Sequence, residues 1–265
     1  MEETKNKIRF VEEFGGAGEV LVLVHGLGGS TNSWYPQATI LQKQFRVVGY
    51  DLAGSGRTGV HGEISLDTHV ADLGEVIGSV AGGASVHLAG HSLGSIICQH
   101  FAARYPEKVA SLVLVGAFPE PLEAARNALR DRAAKARAEG MAGIANAIVA
   151  GGTSDDVKIN QPAVTAFVRE SIMAQPAEGY ARNCEALAAL SRADLSRIAA
   201  PTLLITGDQD RTAPPDVGRA IASEIRHAEF HLLTACGHWA PVERAKQVSY
   251  AMTLFYARLA RDVAA

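Results

Sequence analysis

Cysteine is scarce in this sequence, and no two cysteines lie close together. The 265 residues include three, Cys98, Cys184 and Cys236, so their number is odd and no C-x-x-C motif occurs. This pattern indicates neither a disulfide framework nor a zinc site, and we expect no metal. Buried free thiols are the expected state, with Cys98 and Cys236 acting as small packing residues rather than as second nucleophiles.

Long apolar runs and a strong net charge are absent as well. No run of about 18 apolar residues occurs, and residues 1–7 are polar, without the apolar core of a signal peptide. The formal net charge is −3, which gives no indication of a nucleic-acid-binding or membrane-binding surface. These absences predict a cytoplasmic protein, and they leave its oligomeric state open.

The sequence does have an alternation of short apolar runs with patterns of helical period. The runs at 20–24, 45–50, 86–89, 109–115, 201–206 and 228–233 are predicted strands, and residues 8–13 could add an edge strand. Most of these strands end in loops that are rich in glycine or polar residues. Successive units of this kind predict an α/β fold with a mostly parallel central sheet and helices on both faces.

The alternation stops between residues 119 and 197. Alanine, arginine and glutamate dominate this stretch, and a 3.6-residue period runs through 122–138 and 163–173. We therefore expect one core domain, made of residues 1–118 and 198–265, that is interrupted by a helical lid at 119–197. Such a lid would cover the carboxyl-terminal edge of the sheet.

The most informative motif surrounds Ser92. Residues 90–94 form a G-x-S-x-G pattern between a predicted strand and a predicted helix. A serine on so tight a turn projects its hydroxyl from the edge of the sheet, and the flanking glycines avoid a clash between strand and helix. The amino terminus of the following helix favours negative charge that develops at this point.

Two later strand ends supply an acid and a base. Asp208 and Asp210 follow the strand at 201–206, and His238 follows the strand at 228–233. A serine hydroxyl needs a general base within hydrogen-bond reach, and that base needs an orienting carboxylate. The order Ser92, Asp210, His238 therefore predicts a catalytic triad. Asp210 is favoured over Asp208 because Asp208 directly follows a glycine and can cap the turn.

These motifs together resemble the α/β-hydrolase superfamily, and the resemblance covers almost the whole chain. The matching stretches are His25-Gly26-Leu27-Gly28-Gly29, Asp51-x-x-Gly54-x-Gly56, Gly90-His91-Ser92-Leu93-Gly94, Gly207 through Pro214, and Gly237-His238. The resemblance implies that Ser92 is the nucleophile, Asp210 the acid and His238 the base. It also implies an oxyanion hole made by the backbone N–H groups of Leu27 and Leu93, and no metal or organic cofactor.

Within the superfamily, the chain is most similar to 3-oxoadipate enol-lactonases and related small serine esterases. Residues 178–187 and 193–195 carry that similarity, whereas residues 237–243 look more like carbon–carbon bond hydrolases that act on ring-cleavage products. The resemblance implies hydrolysis of a small ester or lactone through an acyl-enzyme. Two alternatives are carbon–carbon bond hydrolysis of a diketone and non-catalytic binding of a small ligand.

Residues next to the motif loops are candidates for the substrate pocket. Gly26, Trp34, His91 and Trp239 are the candidates, although each tryptophan could instead pack in the core. The arginines of the lid are interpreted as solvated surface charges, one of which could pair with a substrate carboxylate. These arginines include Arg126, Arg130, Arg137, Arg169 and Arg182.

Overall fold

A seven-stranded sheet forms the centre of the computed structural model, which describes residues 9–264 and the side chains of residues 9–261. The strands are β1 (Val11–Gly15), β2 (Val20–Val24), β3 (Arg46–Tyr50), β4 (Val86–His91), β5 (Val109–Val115), β6 (Thr202–Gly207) and β7 (Ala228–Leu233). Their order in the sheet is β1-β3-β2-β4-β5-β6-β7. All neighbours are parallel except β1 and β3, which confirms the mostly parallel α/β sheet.

Helices lie on both faces of this sheet. They are α1 (Tyr35–Leu41), α2 (Leu66–Ala81), α3 (Leu93–Arg104), α4 (Glu123–Glu139), α5 (Ala142–Gly152), α6 (Asp155–Asn160), α7 (Pro162–Met173), α8 (Ala177–Ala189), α9 (Pro215–Glu224), α10 (Ala240–Glu243) and α11 (Ala245–Ala264). Short 3-10 helices occur at Thr31–Trp34, Pro106–Lys108 and Leu195–Arg197. Within residues 9–264, none of the helices is both long enough and apolar enough to cross a bilayer.

The core consists of two apolar clusters, one on each face of the sheet. Alternate residues of β2 belong to different clusters: Val22 faces α2 and α3, whereas Leu21 and Leu23 face α1 and α11. This alternation follows from the two-residue period of a strand. Because both faces are covered, the strand is apolar at every position, and the sequence shows it as a continuous run.

Five helices, α4 to α8, lie between β5 and β6 in the chain, and we call them the helical segment (residues 123–189). The periodicity at 122–138 and 163–173 predicted α4 and α7, whereas α5, α6 and α8 were not predicted as separate helices. The lid boundaries at residues 119 and 197 stay predictions.

Several predicted boundaries differ from the structure: β3 begins at residue 46 rather than 45, β4 ends at 91 rather than 89, and β6 covers 202–207 rather than 201–206. The first strand covers β1 rather than residues 8–13, and residue 8 lies outside the described part. The helix after Ser92 begins at once, at Leu93. Near the carboxyl terminus, α10 and α11 are separate helices because Arg244 adopts a non-helical conformation (φ −126°, ψ 46°).

Candidate active site

Ser92 occupies a sharp turn between β4 and α3. Its backbone has φ 52° and ψ −117°, a left-handed conformation that costs a non-glycine residue about 1–3 kcal/mol. The turn is held in place because the Ser92 N–H donates to the Val115 carbonyl (3.0 Å) and the Ser92 carbonyl accepts from the Ser95 N–H (2.9 Å). A Cβ at Gly90 or Gly94 would lie 2.4 Å or 2.3 Å from a backbone oxygen, so both positions require glycine.

Three loops bring a hydroxyl, an imidazole and a carboxylate into one continuous hydrogen-bonded relay. The Ser92 hydroxyl donates to His238 Nε2 across 2.8 Å. His238 Nδ1 donates to Asp210 Oδ2, also across 2.8 Å. All three residues are buried. The structure thus brings together the three residues that the sequence predicted as a triad.

The Asp210 carboxylate is held in its ionised form by its neighbours. Burial alone would raise its pKa, but the charge and hydrogen bond of His238 and the amides of Ala213 and Thr212 outweigh burial and lower it. Asp208 has a different position: it is exposed, and its carboxylate accepts from the Cys236 N–H (3.0 Å). Asp210, not Asp208, therefore faces the imidazole.

The loop after β2 lies directly against Ser92. A Cβ at Gly26 would lie 2.9 Å from the Ser92 Cβ, so Gly26 allows this close approach. In the described part of the chain, neither the Leu27 N–H nor the Leu93 N–H has a hydrogen-bond acceptor. Two unpaired backbone donors next to Ser92 are suited to an oxyanion hole, which is the role that the family resemblance implies for them.

His25 shapes this loop and is not part of the relay. Its Nδ1 donates to the Gly26 carbonyl (2.8 Å), and its Nε2 accepts from the Leu52 N–H (3.0 Å). Burial lowers the pKa of His25, which favours the neutral ring that this pair of bonds requires. The ring therefore links the loop after β2 to the loop after β3.

Gln175, at the end of α7, ties the helical segment to the same loop. Its side-chain amide donates to the carbonyls of Gly28 (3.3 Å), Gly29 (3.2 Å) and Ser171 (2.8 Å), and its oxygen accepts from the Gly56 N–H (3.1 Å). Gln175 is buried, and both its NH₂ group and its carbonyl oxygen form hydrogen bonds with backbone groups. The sequence alone gave no indication of this role for Gln175, because most of its partners are backbone groups far away along the chain.

Glu243 ties the helical segment to the loop that carries His238, as Gln175 ties it to the loop after β2. Its buried carboxylate accepts from the Gly237 (3.0 Å), Trp239 (3.0 Å) and Ser154 (2.9 Å) N–H groups. The two loop residues flank His238, and Ser154 belongs to the helical segment. Glu243 therefore fixes the histidine loop against that segment. Glu243 is the last residue of the 237–243 stretch noted in the sequence, but no motif known from the sequence predicted that it would bond to the backbone around His238.

The four predicted pocket residues have different environments, and Gly26 lies against Ser92 but is not among the residues that line the cavity. His91 lines the cavity described below, and its Nε2 donates to the His238 carbonyl (2.7 Å). Burial, and the neighbouring His238, lower the pKa of His91 to about 3, so its ring is neutral. Trp239 also lines the cavity. Trp34 does not line the cavity. It is fully buried in the apolar cluster that packs α1 and α11 against the sheet, so its placement in the pocket was wrong.

A cavity of about 730 Å³ opens over Ser92 and His238. This volume lies within the range of small-molecule sites, roughly 300–1,000 Å³. Its wall is mostly apolar and comes largely from the helical segment and the residues just before it. The apolar lining includes Leu27, Phe118, Leu129, Ile148, Leu187 and Trp239.

The five arginines named from the sequence are all engaged with protein carboxylates. Arg130 and Arg169 are half-exposed ion pairs with Glu123 and Glu170, in line with surface charges. Arg137 and Arg182 share Glu178. Arg126 departs from the prediction: it is mostly buried, pairs with Glu120 and also donates to the carbonyls of Ala188 and Leu190.

The cysteines are buried free thiols, as expected. Burial raises the pKa of Cys98 and of Cys236, and it raises that of Cys184 to about 12, so none is a thiolate at neutral pH. Among residues 9–264 no group of three or more histidine, cysteine or acidic side chains is arranged to hold a metal ion.

Comparison with known proteins gives a family match over most of the chain. A family model described as "alpha/beta hydrolase fold" matches residues 19–245. Among solved structures, a thermophilic esterase from Thermogutta terrifontis, determined with malate bound, has a TM-score of 0.90 and 26% sequence identity. That match covers 95% of this chain and 93% of the esterase. The enol-lactonase from Burkholderia xenovorans LB400 has a TM-score of 0.86 and 28% identity, covering 94% and 96%.

A curated relative extends the range of named reactions. The 2-hydroxy-6-oxononadienedioate/2-hydroxy-6-oxononatrienedioate hydrolase of Paraburkholderia phymatum is 29% identical over 259 residues. This match covers 88% of the present chain and 85% of the relative. The relatives described here are thus named as an esterase, an enol-lactonase and a hydrolase of an oxo-dioate.

Proposed function

Because this chain belongs to the α/β-hydrolase family, we propose that it is a serine hydrolase that cleaves a small carboxylic ester or lactone. The family and the names of its relatives support a hydrolase in general terms. The observation that carries the finer proposal is the unbroken relay from Ser92 through His238 to Asp210, with 2.8 Å at each step.

In the first half of the reaction, the Ser92 Oγ attacks the carbonyl carbon while its proton passes to His238 Nε2. Asp210 stabilises the imidazolium that forms and keeps the other ring proton on Nδ1. The free N–H groups of Leu27 and Leu93 receive the developing oxyanion, each contributing about 2.7–4 kcal/mol. When the carbon–oxygen bond breaks, the leaving alkoxide takes the proton from Nε2.

In the second half, water hydrolyses the acyl-enzyme. The water gives a proton to His238 Nε2 as its oxygen attacks the acyl carbon, and Ser92 leaves with that proton restored. If the substrate is a lactone, the alcohol released in the first half stays attached to the acyl group. The product is then a single hydroxy acid.

We further propose that residues 119–197 act as a lid that selects the substrate. Most of the cavity wall comes from this stretch, while the relay comes from the loops of the sheet. Chain segments that line the cavity without taking part in proton transfer are suited to changing specificity.

The test compares wild type with Ser92→Ala on 4-nitrophenyl butyrate and a panel of small lactones. We expect kcat to fall by about 10⁴-fold or more, with unchanged circular dichroism and melting temperature. Ser223→Ala, an exposed serine on α9, is the matched control and should keep full activity. A fluorophosphonate should label Ser92. Near-normal turnover by Ser92→Ala, or labelling at another residue, would refute the proposal.

Carbon–carbon bond hydrolysis is a second candidate. The name of the Paraburkholderia phymatum relative denotes an oxo-dioate substrate that has no ester bond, and residues 237–243 resemble that class. A ring-fission diketone and a 4-nitrophenyl ester, compared by kcat/KM, separate the two activities. Absence of both Ser92 labelling and turnover of any ester, lactone or diketone would instead indicate a non-catalytic ligand-binding protein.

A further inference from the structure

Two arginines, Arg132 and Arg211, line the cavity without forming an ion pair in the described part of the chain, and Arg132 is the partly buried one. Arg132 lies on α4 and borders the same cavity as Ser92 and His238. It is partly buried, and its guanidinium forms no ion pair with any carboxylate in the described part of the chain. Three other arginines of α4 are each paired with glutamates, namely Arg126, Arg130 and Arg137.

The groups packed around Arg132 do not supply a negative charge. Burial raises the pKa of the Tyr180 phenol and of the Cys184 thiol, and the Arg132 cation opposes both rises, which places it beside these two groups of α8. Ala128 and Leu129 line the cavity on the same helix. A cation that loses hydration against such groups is unfavourable unless an opposite charge reaches it.

The remaining charged groups at the cavity do not neutralise Arg132 either. Glu120 is occupied by Arg126 at 2.9 Å. Arg211 and Asp216 carry opposite charges and are both exposed to solvent. Among the charged side chains that line the cavity, Arg132 is therefore the cation that is both partly buried and without a neutralising carboxylate.

We propose that Arg132 binds a carboxylate of the substrate, so that the preferred substrates are esters or lactones that carry a second, free carboxylate. This inference rests on the proposed hydrolase function and narrows its substrate class. A planar guanidinium can donate two parallel hydrogen bonds to a carboxylate, which fixes orientation as well as charge. The mostly apolar wall would hold the chain that connects this carboxylate to the carbonyl attacked by Ser92.

The experiment uses two esters that differ only at the far end of the acyl chain. 4-Nitrophenyl hydrogen glutarate ends in a carboxylate, and 4-nitrophenyl valerate ends in a methyl group. We expect wild type to prefer the glutarate ester in kcat/KM by about 10- to 100-fold, the range for a hydrogen bond to a charged group. Arg132→Gln should remove this preference, chiefly through KM, and Arg132→Lys should keep part of it. Arg130→Gln, on the same helix and paired with Glu123, should retain the wild-type preference.

Two results would overturn the inference while leaving the hydrolase function intact. The first is equal kcat/KM of wild type for both esters, and the second is an equal fall for both esters in Arg132→Gln, which would indicate a structural role. A binding measurement keeps the test independent of turnover. Calorimetry should detect glutarate binding to Ser92→Ala, and the double variant with Arg132→Gln should bind it about 10- to 100-fold more weakly. Equal binding by the two proteins would also overturn the inference.

Discussion

Asp210→Asn should abolish most of the activity while the fold is preserved, because the loop determines which way the new amide faces. Asp210 Oδ1 accepts from the Thr212 N–H (2.9 Å) and the Ala213 N–H (2.8 Å), and Oδ2 faces His238 Nδ1 (2.8 Å). In asparagine the carbonyl oxygen must take the Oδ1 position. The NH₂ group then faces Nδ1 and can only donate to it.

The consequence is the wrong tautomer of His238. A ring that accepts at Nδ1 carries its proton on Nε2 and cannot receive the Ser92 proton. The corresponding change in a serine protease triad lowers kcat by about 10⁴-fold, which is about 5–6 kcal/mol of transition-state stabilisation. Turning the amide over would restore the tautomer, but it would leave two backbone donors facing an NH₂ group. Each unsatisfied buried donor costs about 1–3 kcal/mol, so the flipped amide offers little rescue.

The assay is steady-state hydrolysis of 4-nitrophenyl butyrate by Asp210→Asn and Asp208→Asn. Asp208 is exposed and its carboxylate accepts from the Cys236 N–H, so its variant should stay close to wild type in kcat. Melting temperature and near-ultraviolet circular dichroism confirm that both variants are folded. If Asp210→Asn keeps about a tenth or more of the wild-type kcat, the tautomer argument is wrong. If Asp208→Asn suffers the large loss instead, the acid has been misassigned.

Three other substitutions test the packing around the site. Gly94→Ala should destabilise the protein by about 3 kcal/mol or more, because the new Cβ would lie 2.3 Å from the Val24 carbonyl oxygen. The control Gly78→Ala, in open space on α2, should be neutral or stabilising in urea denaturation. Equal stability of the two variants would contradict the clash. His91 has a folded pKa of about 3 against 6.5 for a free histidine, so its contribution to stability is present above pH 6.5 and is lost as the pH falls towards 3. Between pH 7 and pH 5 this loss is about 2 kcal/mol, and urea midpoints of His91→Gln should lack that part of the pH dependence; an unchanged dependence would show that His91 is not the group responsible. Glu243→Gln replaces one accepting oxygen with an NH₂ group, so at least one N–H of the histidine loop is left unsatisfied. We therefore expect a loss of about 1–3 kcal/mol in stability and a fall in kcat with little change in KM. A variant with wild-type kcat and stability would rule out this positioning role.

The sheet and the relay could be predicted because local sequence determines them. A strand buried on both faces shows itself as a continuous apolar run, and β2, β5 and β7 have the predicted bounds. The turn at Ser92 was recognisable because close backbone contacts require Gly90 and Gly94. Parallel strands place their carboxyl-terminal loops at one edge of the sheet, so order along the chain was enough to bring Ser92, Asp210 and His238 together.

Features that depend on the packing between distant elements could not be predicted in this way. Trp34 adjoins the loop after β2 in sequence, but its side chain packs in the apolar cluster between the sheet and helices α1 and α11. Arg126 and Arg132 are six residues apart on α4 and look equivalent in the sequence. Their partners distinguish them: Arg126 pairs with Glu120 and donates to two backbone carbonyls, whereas Arg132 lines the cavity.

The helical segment does more than cover the site, since it holds both sides of the catalytic machinery. On one side, Gln175 fixes the carbonyls of Gly28 and Gly29, next to the Leu27 N–H. On the other, the Gly152 carbonyl accepts from the His238 N–H (2.8 Å). The segment that supplies most of the cavity wall therefore also holds the Leu27 loop and His238, the proposed oxyanion donor and base, and Gly152 belongs to both sets of contacts. If residues 119–197 select the substrate as proposed, substitutions there that change substrate choice must keep the hydrogen bonds of Gln175 and Gly152. Loss of those bonds would move the proposed oxyanion donor and base.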